Sequence, residues 1–190
     1  MKPLKQYRLP RVLSHEDCMR LIETVEKPIH RNCFLLMYAC GLRISEAVKV
    51  NVTDIDKSTG CLKVIGKGNK ERIVPIPQPV LKSLREIWKT HKHRTHLFPN
   101  RNLTNHLSSD SLSKTFAVVR DYLGLDKEVT SHTLRHSFAT RLMENKIDSQ
   151  IVQMLLGHSN PRSTQTYTHL TLPIQKHVRQ CLDKIMATSF

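Results

Sequence analysis

Residues 131–170 read SHTLRHSFATRLMENKIDSQIVQMLLGHSNPRSTQTYTHL. His132 and Arg135 stand three positions apart, and residues at i and i+3 of a helix share one face. That spacing aims an imidazole and a guanidinium into one small volume. Gly157-His158 follow, and Tyr167 lies nine positions after His158. Arginine donates in a planar fork suited to two phosphate oxygens, and histidine donates a hydrogen bond or moves a proton near neutral pH. A tyrosine hydroxyl nearby would complete a nucleophile-plus-oxyanion arrangement. The frame for these groups is helical. From about Ser131, Leu134, Phe138 and Leu142 keep core spacing, while His132 and Arg135 face a cleft. A second helix is expected over Ser149–Leu156, capped by Asp148 and stopped by Gly157. Pro161 opens a further short helix, which would carry Tyr167, and Pro173 precedes a last amphipathic segment with Ile174, Val178, Cys181, Leu182 and Ile185. That segment, about Pro173 to Met186, either docks on a neighbouring subunit or packs on its own core.

Earlier in the chain, Ser14 and Asp17 mark a helix start, and Cys18, Leu21, Ile22 and Val25 keep helical spacing until Pro28. Ile29 to Cys40 is apolar nearly all round, which places that helix in the core, ending at Gly41. Gly41-Leu42-Arg43 then leads into a short helix carrying Glu46, where an arginine beside a buried helix end needs a partner. Taken alone, this stretch reads as a structural Arg/Glu pair. Leu62–Ile65 and Arg72–Ile76 read as strands around Gly66-Lys67-Gly68-Asn69-Lys70, which makes a β-hairpin. Lys67 and Lys70 sit on its turn; a turn lysine is more often a solubilising group than a functional one. A helix from Pro79 to about Lys89 follows, then the segment HKHRTH with His91, His93 and His96. Their spacing fits no metal site and no cysteine is near, so a solvated basic loop is expected. Asn100 to Asp110 reads as polar loop, and Ser111 to Leu123 as helix.

The totals restrict the class. At 190 residues the chain suits one domain with a substantial core. Its apolar fraction of 39% and mean hydropathy of -0.37 are those of a soluble globular protein. Thirty Lys plus Arg against 16 Asp plus Glu give a formal charge of +14, with a pI near 9.9, which points to a polyanionic partner. An anionic membrane surface is disfavoured, because no basic amphipathic helix with exposed aromatics is present. No apolar run is long enough to span a bilayer, and the N-terminus MKPLKQYRLPR has no apolar signal core. The five cysteines are scattered and form no CxxC, so they read as core thiols of a reducing cytoplasm. Residues 1–13 form a basic lead-in that is either a linker stub or a solvated tail.

Five segments together carry a resemblance: GLRISE at 41–46, GKGNKERIVPI at 66–76, HTLRHSFAT at 132–140, LGHSN at 156–160 and TQTYTHL at 164–170. Each is weak alone; all five in this order are highly specific. The chain resembles the catalytic domain of the tyrosine site-specific recombinases, or phage-integrase-type recombinases, of Xer-like, integron or phage type. The resemblance extends from about Leu9 to His169. It implies an α+β fold, mainly helical with a small antiparallel β-sheet or hairpin, over residues 14–190. The helical core-binding domain that usually precedes it in the family is expected to be absent.

The family's catalytic set falls on Arg43, Lys67, His132, Arg135, His158 and the nucleophile Tyr167, with Glu46 at an accessory acidic position. Lys70 and Arg72 of the hairpin are expected to contact DNA. The resemblance implies breakage and rejoining of double-stranded DNA through a 3′-phosphotyrosine, with no metal, cofactor or ATP, in the cytoplasm, by molecules that associate on DNA as dimers or tetramers. Two other readings stand beside it. One is a type IB topoisomerase-like enzyme that nicks and reseals without exchanging strands. The other is a DNA-binding remnant or regulator that keeps the fold and no longer cuts.

Overall fold

Pro28 is where the first two helices divide. The computed structural model describes residues 11–157 and 171–187. In it α1 (His15–Thr24) is capped by the Ser14 hydroxyl, which accepts from the Asp17 N–H, and Glu16 and Asp17 lie in the first turn where the helix dipole favours negative charge. Pro28 is the first residue of α2 (Pro28–Cys40), a position where its missing N–H leaves no partner wanting. α2 is buried from Asn32 to Cys40, as its apolar run predicts. Gly41 ends it in the left-handed conformation at φ 63°, and α3 (Ile44–Ala47) starts directly after.

The sheet has three antiparallel strands in the order β1 (Ile55–Asp56), β2 (Cys61–Ile65), β3 (Glu71–Pro75). The hairpin of β2 and β3 is the expected one, with Leu62 opposite Val74 and Val64 opposite Arg72. β1 adds an edge that no periodicity announces, since two residues are too few to show an alternation.

α4 (Gln78–His91) begins one residue before Pro79, its first N–H donating to the Asp183 carboxylate at 2.7 Å. α5 (Ser109–Tyr122) begins two residues before its expected start because the Ser108 hydroxyl caps it, accepting from the Ser111 N–H. The connection between α4 and α5 is more than polar loop. Leu97, Phe98 and Leu107 are buried in it, and bridges join Asn51 to His96 and Pro99 to His106. Nor is HKHRTH simply solvated: the His93 and His96 rings stack at 5.0 Å, and His96 meets His106 edge-on at 5.7 Å. Among the described residues no group of histidine, cysteine and carboxylate side chains is placed to hold a metal ion.

α6 (Ser131–Glu144) starts where expected, and α7 (Ser149–Leu156) matches its expected bounds and caps, Asp148 accepting from the Gln150 N–H and Gly157 closing α7 at φ 69°. Leu134, Phe138 and Leu142 face the core. α1, α4 and α6 pack around α2, so the most apolar helix lies at the centre. α8 (Leu172–Ala187) packs on this chain's own core, burying Val178, Leu182 and Met186 against α4 and β3. Cys18, Cys33, Cys40 and Cys61 are buried free thiols, and Cys181 is free and half-buried. Among the described residues no helix is long and apolar enough to cross a membrane.

Candidate active site

The turn between α2 and α3 sets the first site residue. The positive φ of Gly41 bends the chain where a side chain has no room: a Cβ there would lie 2.5 Å from Cδ1 of Phe138. Leu42 is fully buried and fixes the bend, so Arg43 arrives at the N-cap of α3. Glu46, three residues on, accepts from the Arg43 backbone N–H at 2.8 Å, as an acidic residue at that position of a helix start does. Its carboxylate also takes Nη1 of Arg43 at 3.1 Å, while the Arg43 side chain stays 37% exposed. The pair expected from sequence is present, but it is part of something larger.

Glu46 is a hub. Arg72 of β3 approaches it through both terminal nitrogens, Nη1 to Oε1 and Nη2 to Oε2, each at 2.9 Å. This is the fork-to-carboxylate geometry that arginine makes best. Arg135 of α6 lies 3.8 Å away through Nη1. Three guanidiniums thus surround one buried carboxylate, an excess of two positive charges. Burial pushes the Glu46 carboxyl upward, but the Arg72 hydrogen bonds, the Arg43 N–H and the nearby positive charges outweigh it and hold the group below the usual carboxylate range. Arg135 is pushed down to about 10, first by burial and then by Arg43, against the pull of Glu46, and it remains protonated at neutral pH.

Helix ends supply the remaining partners. The last carbonyls of an α-helix have no partner within it and carry its negative pole. Arg135 donates to Gly41 O and to Leu156 O, each at 2.6 Å, at the C-terminal ends of α2 and α7. Arg72 donates through Nε to Leu155 O at 2.7 Å. Each buried guanidinium therefore combines Glu46 with carbonyl oxygens, the pairing a buried charge requires.

The expected residues divide as follows. Arg43, Glu46 and Arg135 come together. His132 is exposed on the first turn of α6, one helical turn from Arg135. Lys67 lies on the 3-10 turn Lys67–Asn69 between β2 and β3. The side chain of Lys67 lies outside the described residues, as do His158 and Tyr167. Lys70 is exposed beside the turn, open to a surface contact. Arg72 is placed differently from its expected role as a surface contact to DNA: its side chain is 9% exposed and its guanidinium is bound to Glu46 and Leu155. The strand alternation carried the signal. Arg72 shares a face with Val74, opposite Val64, and an inward arginine demands a buried acid.

Comparison with known proteins gives the family. Residues 11–172 match the phage integrase family. The tyrosine recombinase XerD of Lacticaseibacillus casei is 41% identical over 184 residues, covering 89% of this chain and 61% of that protein. The XerD of Oceanobacillus iheyensis is 36% identical over 181 residues, with the same coverages. The chain thus spans about three fifths of the length of these relatives. Among solved structures, the XerH site-specific recombinase in a post-cleavage complex is 26% identical and superposes with a TM-score of 0.73, over 94% of this chain and 54% of that one. With its residues matched from Arg11 to Leu172 and its arginines gathered as described, the chain belongs to the phage integrase family.

Proposed function

We propose that this chain is the DNA-cleaving and rejoining part of a site-specific recombinase. The observation that carries the reading is the gathering of Arg43 and Arg135 around Glu46, with a surplus of positive charge, one turn below the exposed His132. Fixed cationic donors of this kind stabilise charge that grows on a phosphoryl group in its transition state. In this reading Tyr167 Oη attacks the phosphorus of a DNA phosphodiester. The Oη–P bond forms, the P–O5′ bond breaks, and a 3′-phosphotyrosine and a free 5′-hydroxyl result. A phenol with an ordinary pKa near 10 needs help to lose its proton, and His132 takes it, directly or through water. Arg43 and Arg135 brace the non-bridging oxygens together with His158. Lys67 gives the proton to the departing O5′. The covalent link keeps the phosphodiester energy, so the reverse step rejoins the strand without ATP.

The partner in this reading is double-stranded DNA, which the net charge of +14 suits, and the molecules associate on it to exchange strands. XerH, which is 26% identical, has been solved bound to its difH substrate before cleavage. The test is covalent trapping. The protein and its Tyr167→Phe variant are incubated with nicked oligonucleotides and supercoiled plasmid, and denaturant-resistant adducts are scored. An adduct made only by the unmodified protein is expected. If neither protein forms one while both bind DNA, the chain is a binding module and the cleavage reading fails.

A further inference from the structure

Arg72 ties the candidate site to both the hairpin and the end of α7. Its terminal nitrogens hold both oxygens of Glu46, which in turn holds Arg43 by side chain and backbone. Its Nε holds Leu155 O, next to the Leu156 carbonyl that holds Arg135. Two glycines also leave it room. A Cβ on Gly66 would lie 3.5 Å from Arg72 Nη1 and 3.5 Å from Glu46 Oε1, and one on Gly157 would lie 3.1 Å from Arg72 Cδ. Gly66 immediately precedes Lys67, and Gly157 immediately precedes His158. The one guanidinium thus lies against the backbone that leads into both residues and binds the acid that orders the arginines.

We infer that Arg72 is a positioning residue: it sets the hairpin of β2 and β3, and so Lys67, in register with Arg43, Arg135 and the C-terminal end of α7. This rests on the recombinase reading and assigns Arg72 no contact with DNA. Arginine is required there because only its fork grips both carboxylate oxygens while Nε reaches a carbonyl; a lysine supplies one point charge. Glu46 keeps Arg43 and Arg135 as partners when Arg72 is replaced, so the buried acid is not left alone.

The experiment uses the full chain with Arg72→Lys and Arg72→Met. Single-turnover cleavage is measured on two nicked oligonucleotides, one with the natural phosphodiester and one with a 5′-bridging sulfur, a leaving group that needs no proton. Thermal midpoint and the salt dependence of duplex binding are recorded alongside. Displacing a catalytic group by about 1 Å costs on the order of 100-fold, and a loss of that size is expected for both variants on the natural substrate. At least about a tenth of the natural rate should return with the sulfur substrate, since positioning of the proton donor no longer matters there. The slope of log affinity against log salt should stay within about half a unit of the unmodified protein, because no phosphate contact is lost.

Three results overturn the inference. One is a slope that falls by about one with uniformly weaker binding, the mark of a phosphate contact. Another is a cleavage loss that is equal on both substrates and follows the unfolded fraction. The third is Arg72→Lys cleaving like the unmodified protein. The unmodified protein run in parallel separates the two levels: if it forms no adduct with either substrate, the recombinase reading has failed, whereas normal cleavage by both Arg72 variants rejects the positioning role alone.

Discussion

Lys67 is the residue whose role can be isolated most cleanly, because a general acid is needed only when the leaving group is a poor one. The Lys67→Ala variant is expected to cleave natural DNA at least about 100-fold more slowly, within the usual range for losing an acid catalyst. A 5′-bridging sulfur should restore most of that loss. Equal impairment on both substrates, measured as single-turnover adduct formation, would remove Lys67 from the proton-donor role. Individual residues were read unevenly from the sequence. Arg43, Glu46 and Arg135 were legible because five short segments in fixed order name them, and the structure brings both arginines within ion-pair distance of Glu46. Arg72 was legible as a charge but not as a buried one. Its inward face follows from the period of two, but its partner Glu46 lies 26 residues away, and pairing across that distance is fixed by tertiary structure.

Among the elements, the join of α2 and α3 is the least forgiving. Gly41 needs a positive φ, its Cβ position is filled by the Phe138 ring, and its carbonyl receives Arg135. Gly41→Ala combines left-handed backbone strain with overpacking, and a destabilisation of about 2–4 kcal/mol is expected in urea denaturation. Cleavage should fall further than stability alone explains, since the carbonyl that holds Arg135 shifts with the turn. A change below about 0.5 kcal/mol would mean that the turn relaxes freely. Helices with clear end signals, α2 and α7, were readable almost to the residue, because the stops at Gly41 and Gly157 and the Asp148 cap are local chemistry; α6 was read at its start alone. The start of α5 was misplaced by two residues where Ser108, Ser109 and Ser111 offer several hydroxyls for the same cap. β1 was missed because two residues hold their place only through the neighbouring β2.

Across the whole molecule, histidines link stability to acidity. Burial lowers the pKa of His15, His30, His91, His96 and His136; neighbouring positive charge adds to it at His15 from Arg141, at His30 from Lys27, and at His136 from His132 and Arg135. In the unfolded chain each titrates near 6.5, so below that pH the unfolded state binds more protons than the folded one. Stability is therefore full above pH of about 6.5 and declines as pH falls through the lower folded values. The urea midpoint should stay level above about pH 6.5 and drop as the pH falls from there towards about 5, and His96→Gln should flatten part of that drop. A midpoint constant over this window would contradict the burial of these rings. The overall class, helical with one small sheet and strongly basic, was readable from composition and period. The dense packing of His93, His96 and His106 was not, because it depends on the loop returning past Asn51.

The carbonyls that hold the two buried arginines come from far apart in the chain: Gly41 on one side, Leu155 and Leu156 on the other. A ribosome delivers Arg43, Glu46 and Arg72 well before it delivers those last two. Until α7 has emerged and docked, Arg72 and Arg135 have no acceptors there, and the arginines around Glu46 cannot take their final places. A copy that ends before α7 thus holds Arg43, Glu46, Arg72 and Arg135 without the carbonyls of Leu155 and Leu156, so the ordered arginine cluster is the mark of a chain made at least through Leu156.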